Sequence, residues 1–268
     1  MKRTKVAVVQ LCSTEDIHRN LREASDLTAA AAQDGATFIA LPENTGYLVT
    51  GTERDAGEPL ESSRIVAHFG ALAAELNVAL LLGSFHRAGP STTKAYNTSV
   101  LFDRTGAVVT TYDKVHLFDI DVPGTVTFRE SDAIAAGDTP VVTDVDGMRL
   151  GLSICYDLRF PEYYRRLVDA GAEVLAVPAA FTAQTGKAHW EVLLRARAIE
   201  NQCFVLAPDQ WGIHGGKRHS HGDSMIIDPW GQVIARVSDG IGYATAWLDP
   251  AHLARVRRDL PCGSHRRF

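Results

Sequence analysis

The chain has 268 residues, 46% of them apolar and 22% charged, with a formal net charge of −5. This suffices for one large core and argues against disorder, and it leaves no basic field to hold nucleic acid or an anionic membrane. No apolar run approaches the roughly 20 residues that span a bilayer, and Val6-Ala7-Val8-Val9 is too short for a signal peptide and lacks a small-residue cleavage site, so the chain is expected to stay in the cytoplasm.

Lys5–Leu11 reads as a strand, and Ile17, Leu21, Ala24, Leu27 and Ala31 then share one helical face. Ser13 followed by Asp16 is a fitting N-terminal cap for that helix. Strand Thr37–Leu41, Pro42-Glu43, a loop rich in Asn, Thr and Gly, a helix near Ser62–Leu76 and strand Val78–Phe85 continue a βαβ rhythm. Tyr96–Phe102 and Ala107–Tyr112 flank Asp103-Arg104-Thr105-Gly106, and Pro140–Asp144 and Arg149–Ile154 flank Val145-Asp146-Gly147-Met148; both read as antiparallel hairpins. The sheets should therefore be mixed. Helix Pro161–Ala170, strand Glu173–Val177, helix His189–Gln202 and strand Cys203–Ala207 follow, then strands near Met225–Asp228, Val233–Val237 and Ala244–Leu248, a short helix and a basic tail. With no repeat and no long linker, the pattern is one α/β domain over residues 1–249, with residues 250–268 a tail suited to a subunit contact. The one extended loop, Leu117–Asp138, suits an active-site wall or lid.

Four cysteines (Cys12, Cys155, Cys203, Cys262) lie far apart with no Cys-x-x-Cys pair, which suggests neither a zinc site nor a disulfide framework. Free cysteines are mostly small core residues, and that reading holds for Cys12, Cys203 and Cys262. Cys155 differs because it ends an apolar strand just before a helix with Pro161 near its start. A helix N-terminus there would favour the thiolate, and free N–H groups after the turn would hold an oxyanion.

Glu43 leaves the apolar strand Phe38–Leu41, where desolvation should raise its pKa toward that of a useful base. Lys114 likewise stands at a strand end, suited to stabilising negative charge. Singly, each reads as an exposed charge. Together, nucleophile, base and cation all lie at strand ends, where open α/β sheets place ligands. The chemistry is then amide hydrolysis: Glu43 takes the thiol proton, Cys155 attacks the amide carbon, Lys114 and the Tyr156 N–H stabilise the oxyanion, and ammonia departs before water cleaves the thioester. Neither metal nor cofactor is needed.

Leu41-Pro42-Glu43, Tyr112–Phe118 (YDKVHLF), Cys155–Glu162 (CYDLRFPE), His189–Glu200 (HWEVLLRARAIE) and Asp228–Gly231 (DPWG) together resemble the carbon–nitrogen hydrolase, or nitrilase, superfamily, whose signature is a Glu-Lys-Cys triad in this order. Within it the chain is similar to the Nit branch. His189–Glu200 and Gly222–Gly231 resemble members acting on deaminated glutathione, the favoured substrate, while His116–Gly124 resembles omega-amidases acting on 2-oxoglutaramate. The resemblance implies an α-β-β-α sandwich of four layers with two mixed sheets, a homodimer paired across a helical face, and hydrolysis of amides of small carboxylic acids. It also implies a second glutamate after the lysine, matched by Glu130, which would orient Lys114. One departure is Gly222-Asp223-Ser224, where members read Gly-His-Ser; it should alter the pocket rim or the subunit contact.

Weaker signals remain. His214–His221 carries three imidazoles, but its two glycines and two cations suit a mobile surface loop better than a metal site. Arg159 and Lys187 are candidates for a substrate carboxylate, though Arg159 is equally suited to pairing with Glu162. Phe181 is a candidate pocket wall or a core aromatic. A nitrilase proper would share the triad. A non-catalytic binding protein is disfavoured by the presence of all four polar residues, and a redox thiol protein by the lack of a resolving cysteine.

Overall fold

The computed structural model describes residues 1–49, 57–122, 126–216 and 218–267. In chain order its elements are β1 (Thr4–Gln10), α1 (Ile17–Gln33), β2 (Phe38–Ala40), α2 (Arg64–Leu76), β3 (Ala79–Ser91), β4 (Lys94–Phe102) and β5 (Val108–Asp113). Next come β6 (Asp119–Val122), β7 (Val126–Arg129), β8 (Ile134–Ala135), β9 (Val142–Val145), β10 (Met148–Leu152), α3 (Pro161–Asp169) and β11 (Val174–Ala176). The chain ends with α4 (Ala183–Asn201), β12 (Phe204–Ala207), β13 (Trp211–His214), β14 (Arg218–His221), β15 (Ser224–Ile227), β16 (Val233–Val237), β17 (Gly242–Leu248) and α5 (Pro250–Asp259).

Two mixed sheets result, one ordered β17-β1-β2-β3-β4-β5 with β8 on β4, the other β16-β15-β12-β11-β10-β9. Each has three parallel central strands, β1-β2-β3 or β10-β11-β12, flanked by antiparallel ones. The period-2 geometry of a strand sorts the core. On β1, Val6 and Val8 face inward to meet Leu150, Leu152 and Ile226 of the second sheet. Ala7 and Val9 face outward against Ala24, Ala31, Phe69 and Ala73 of α1 and α2. On the other side, Leu167 of α3 and Trp190, Leu194 and Ala198 of α4 cover the second sheet. The fold is the four-layer α-β-β-α sandwich.

Several local expectations change. Asp16, not Ser13, caps α1 by accepting the Arg19 N–H at 3.0 Å, while Ser13 is buried and donates to Thr45 O. The Leu117–Asp138 stretch contains the β6–β7 hairpin and β8, though residues 123–125, including Pro123 and Gly124, lie outside the described residues. His214–His221 is no loose loop: β13 and β14 pair across it, with Lys217 outside the described residues. Helix α4 begins six residues before His189, and a Cβ at its Gly186 would come within 2.3 Å of His221 Cγ, so this glycine lets β14 lie against the helix. In the tail, α5 buries Leu253 and Val256, and Arg257 donates to Gln202 O at 3.0 Å. Cys203 is buried as expected, but Cys12 and Cys262 are partly exposed. Among the described residues no helix is long and apolar enough to cross a membrane.

Candidate active site

Strand β2 runs into Leu41, whose N–H donates to Leu81 O at 2.9 Å, and so delivers Glu43 to the carboxyl end of the first sheet. The neighbouring strand makes room: a Cβ at Gly83 would lie 2.1 Å from Leu41 O, so only glycine fits this bulge in β3. Ser84 Oγ then accepts the Asn44 N–H at 2.9 Å, fixing the turn after Glu43. Lys114 follows β5, its N–H held by Asn97 O at 2.9 Å.

Cys155 comes from the other sheet. It follows β10 and opens a 3-10 turn, Cys155–Arg159, with φ of +48°, a left-handed conformation that costs an L residue of order 1–2 kcal/mol. Two bonds hold it there. Its N–H donates to Pro178 O at 2.9 Å, and the Asp157 carboxylate accepts the Ile154 N–H at 2.8 Å. Asp157 also accepts Tyr112 Oη at 2.7 Å and the His116 N–H at 3.0 Å, and contacts His116 Nδ1 at 2.8 Å. With the His116 ring stacked on Phe160 at 3.7 Å, Asp157 ties the Lys114 segment to the cysteine turn.

These elements bring the expected residues into one buried cluster. Lys114 Nζ donates to Glu43 Oε1 at 3.0 Å and to Glu130 Oε1 and Oε2 at 3.0 and 2.9 Å. Asn97 Nδ2 donates to Glu43 Oε1 at 2.8 Å and to Glu130 Oε1 at 3.4 Å. Backbone amides complete the set: Ala180 N–H donates to Glu43 Oε2 at 2.8 Å and Phe118 N–H to Glu130 Oε2 at 2.7 Å. Gln210 Nε2 holds Glu43 O at 2.9 Å from the second sheet.

The electrostatics differ from expectation in two respects. Burial opposes ionisation of Glu43, but the Lys114 ammonium, the Arg218 guanidinium and hydrogen bonds from Lys114 and the Cys155 thiol outweigh it, so its carboxyl lies below the usual range rather than above it. The Cys155 thiol is pushed well above the usual range, by burial first and then by the Glu43 carboxylate, against the pull of Lys114. No helix N-terminus overcomes this, since α3 begins only at Pro161. Lys114 loses solvation too, but Glu130 and Glu43 hold it protonated. The resting site is a neutral thiol beside an ionised base.

A cleft of about 450 Å³ opens over Cys155, lined by Tyr156, Phe181, Phe118, Phe128, Arg159 and Arg218 among others. Tyr156 and Phe181 thus lie where the sequence suggested. The Tyr156 N–H stands in the first turn of the 3-10 segment, where amides lack an intrahelical acceptor. Arg159 makes no ion pair with Glu162 among the described residues; its guanidinium lies 5.2 Å from the Phe181 ring centre and 3.3 Å from His189 Nδ1. Lys187 is exposed and lines no part of the cleft. Asp223 also lies away from it, 3.3 Å from Arg236, its carbonyl accepting Trp190 Nε1 at 2.9 Å. His214 is buried with Nδ1 2.8 Å from Ser13 O, and burial lowers its pKa to about 4. Among the described residues no group of three or more His, Cys, Asp or Glu side chains is placed to hold a metal.

Sequence reasoning missed Asn97, Asp157, Gln210, Arg218 and Asp209. Asp209 is fully buried. Its Oδ1 accepts the Phe181 N–H at 2.9 Å, and burial, reinforced by Glu43, lifts its carboxyl well above the usual range. A signal existed for Asn97, an amide that with Thr98 and Ser99 interrupts a strand ending in the apolar run Val100-Leu101-Phe102, and for Asp157, which sits inside the cysteine block.

A sandwich of this kind with a buried cysteine between carboxylates and a lysine defines a class, the carbon–nitrogen hydrolases. The carbon–nitrogen hydrolase family model matches residues 5–258, and the chain belongs to that family, within the Nit branch of the nitrilase superfamily. It is an amidohydrolase, acting on carbon–nitrogen bonds other than peptide bonds. It is 44% identical over 271 residues to deaminated glutathione amidase of Synechocystis, covering 100% of both chains. It is also 44% identical over 270 residues to deaminated glutathione amidase of Bos taurus, covering 98% of this chain and 81% of that one. The crystal structure of the C. elegans NitFhit protein superposes with a TM-score of 0.92 at 38% identity, over 100% of this chain and 66% of that longer one.

The charge distribution predicts that the thiolate absorbance lost in Cys155→Ala is absent at neutral pH and develops only above the ordinary thiol range, about pH 8.5. Full thiolate at pH 7 in the wild type would contradict it.

Proposed function

We propose that Cys155 is the nucleophile, Glu43 the general base and acid, Lys114 the oxyanion stabiliser and Glu130 its positioning partner in hydrolysis of an amide whose acyl half bears a carboxylate. The observation that carries this reading is the ionised Glu43 meeting both the neutral Cys155 thiol and Lys114 in one buried cluster.

As Sγ adds to the amide carbon, its proton passes to Glu43 and the carbonyl electron pair moves onto oxygen. Protonation weakens the hold of Glu43 on Lys114, and the freed N–H, with the Tyr156 N–H, meets the oxyanion. Collapse breaks the C–N bond, Glu43 gives its proton to the departing nitrogen, and a thioester remains. Glu43 then takes a proton from water, hydroxide adds to the thioester, and the acid leaves as Glu43 returns the proton to sulfur.

Arg159, beside Tyr156 and Phe181 on the cleft, is the group we assign to the acyl carboxylate. Two substrates follow from the relatives and the sequence motifs, deaminated glutathione and 2-oxoglutaramate. Deaminated glutathione has no primary carboxamide, so its departing group is an amine rather than ammonia, and both reactions are best followed through the acid product.

Wild-type enzyme is expected to release 2-oxo acid from deaminated glutathione with a higher kcat/KM than from 2-oxoglutaramate, to leave a simple nitrile untouched, and to lose all turnover in Cys155→Ala with its melting temperature retained. Turnover by that variant, or turnover of the nitrile alone, would contradict the reading. Exposed Val192 and Ile199 on α4, with exposed Trp230 beside them, further support a homodimer paired across this face. Sedimentation should give twice the monomer mass, shifted toward monomer by Val192→Asp; a wild-type monomer at micromolar concentration would rule the pairing out.

A further inference from the structure

The nucleophile and the base come from different sheets, and one short segment after β11, residues 178–181, touches both. Pro178 O accepts the Cys155 N–H at 2.9 Å and so holds the nucleophile in its left-handed turn. Ala180 N–H donates to Glu43 Oε2 at 2.8 Å, and Phe181 lines the cleft. The two oxygens of Glu43 are not equivalent. Oε1 already accepts Lys114 at 3.0 Å and Asn97 at 2.8 Å. A carboxylate oxygen offers about two acceptor positions, so Oε2, oriented by Ala180, is the oxygen left to take the thiol proton.

Residues 208–210 clamp this segment. Ala179 N–H donates to Pro208 O at 2.9 Å and Gln210 N–H to Ala179 O at 3.0 Å, bonds that need no particular side chain. The next one does: Phe181 N–H donates to Asp209 Oδ1 at 2.9 Å. Asp209 is fully buried, and its own N–H donates to Ser224 Oγ at 2.8 Å, which fixes it from β15. Its Oδ2 has no hydrogen-bond partner among the described residues. A buried carboxylate with so few partners would be costly as an ion, and burial holds this carboxyl well above the usual range. The clamp therefore uses an acceptor and not a charge.

We propose that Asp209 is a positioning residue for the proton transfer from Cys155 to Glu43: by accepting the Phe181 N–H it fixes residues 178–181, and with them the placement of Glu43 Oε2 relative to the thiol. This rests on the reading of Cys155 as nucleophile and Glu43 as base. Without the acceptor the Phe181 N–H is left buried and unpaired, and the segment relieves that cost by turning the peptide between Ala180 and Phe181. The Ala180 N–H moves with it and Oε2 loses its guide. A misplacement of about 1 Å between reacting groups can lower a rate about a hundredfold.

Full-length variants of Asp209 test this with two readouts, turnover of deaminated glutathione and alkylation of the Cys155 peptide by iodoacetamide at fixed pH, followed by mass spectrometry. Asp209→Asn keeps an oxygen acceptor of the same shape and should retain kcat to within about twofold. Asp209→Leu is of similar size with no acceptor, and should lower kcat at least about tenfold with KM nearly unchanged, the pattern of an interaction needed only in the transition state. Its alkylation should slow in parallel, because that reaction also sends the thiol proton to Glu43. If the leucine variant does not fold, Asp209→Ala removes the same bond without added bulk. Wild-type kcat in a folded variant that lacks the acceptor, equal losses in the asparagine and leucine variants, or a loss carried by KM with alkylation unchanged would each overturn the proposal. Failure of iodoacetamide to modify Cys155 in the wild type would instead overturn the nucleophile reading on which it rests.

Discussion

The ammonium of Lys114, shared between Glu43 and Glu130 with almost no contact with water, is the constraint on which the rest depends. Three charges taken out of solvent are tolerated only when each oxygen and proton finds a partner. The fold supplies those partners from several places at once: Asn97 from β4, the Phe118 amide from the segment before β6, and the Ala180 amide and Gln210 from the second sheet. The cluster joins the two sheets at their carboxyl ends. In comparable buried pairs, removing one partner costs about 3–5 kcal/mol, because a bare charge is left behind.

This arrangement also divides the protons. Burial alone would raise the Glu43 carboxyl as it raises that of Asp209, yet Lys114 and Arg218 hold Glu43 below the usual range, while Asp209, which makes no ion pair among the described residues, is pushed well above it. The thiol stays neutral because the nearby negative charge of Glu43 adds to the cost of burial. A preformed thiolate is not required. On the proposed mechanism the nucleophile is generated as it attacks, its proton passing to the neighbouring Glu43 carboxylate.

Much of this was legible in the sequence because strands of period 2 and strand-end residues carry local signals. The parallel core strands and both antiparallel hairpins are legible to within a few residues, except that β3 runs on to Ser91 rather than ending at Phe85, and Glu43, Lys114, Cys155 and Glu130 are legible as candidates. What escaped depended on contacts distant in the chain. Nothing near Arg218 says that Gly186, 32 residues earlier, makes room for its hairpin. Gly215-Gly216 and the surrounding cations read as a loose loop, though the same glycines serve as the turn between β13 and β14. The direction of the Glu43 shift was misjudged because desolvation is visible in an apolar flanking sequence, whereas the opposing cations arrive from β5 and β14.

The central claim is that Cys155 forms a covalent acyl intermediate inside this cluster. The most direct measurement is intact-protein and peptide mass spectrometry of enzyme quenched in acid during turnover of deaminated glutathione. The account predicts an adduct of the acyl mass on the Cys155 peptide, formed and lost within the turnover time and absent in Cys155→Ser. Acid product released at the full rate with the Cys155 thiol never acylated would contradict it.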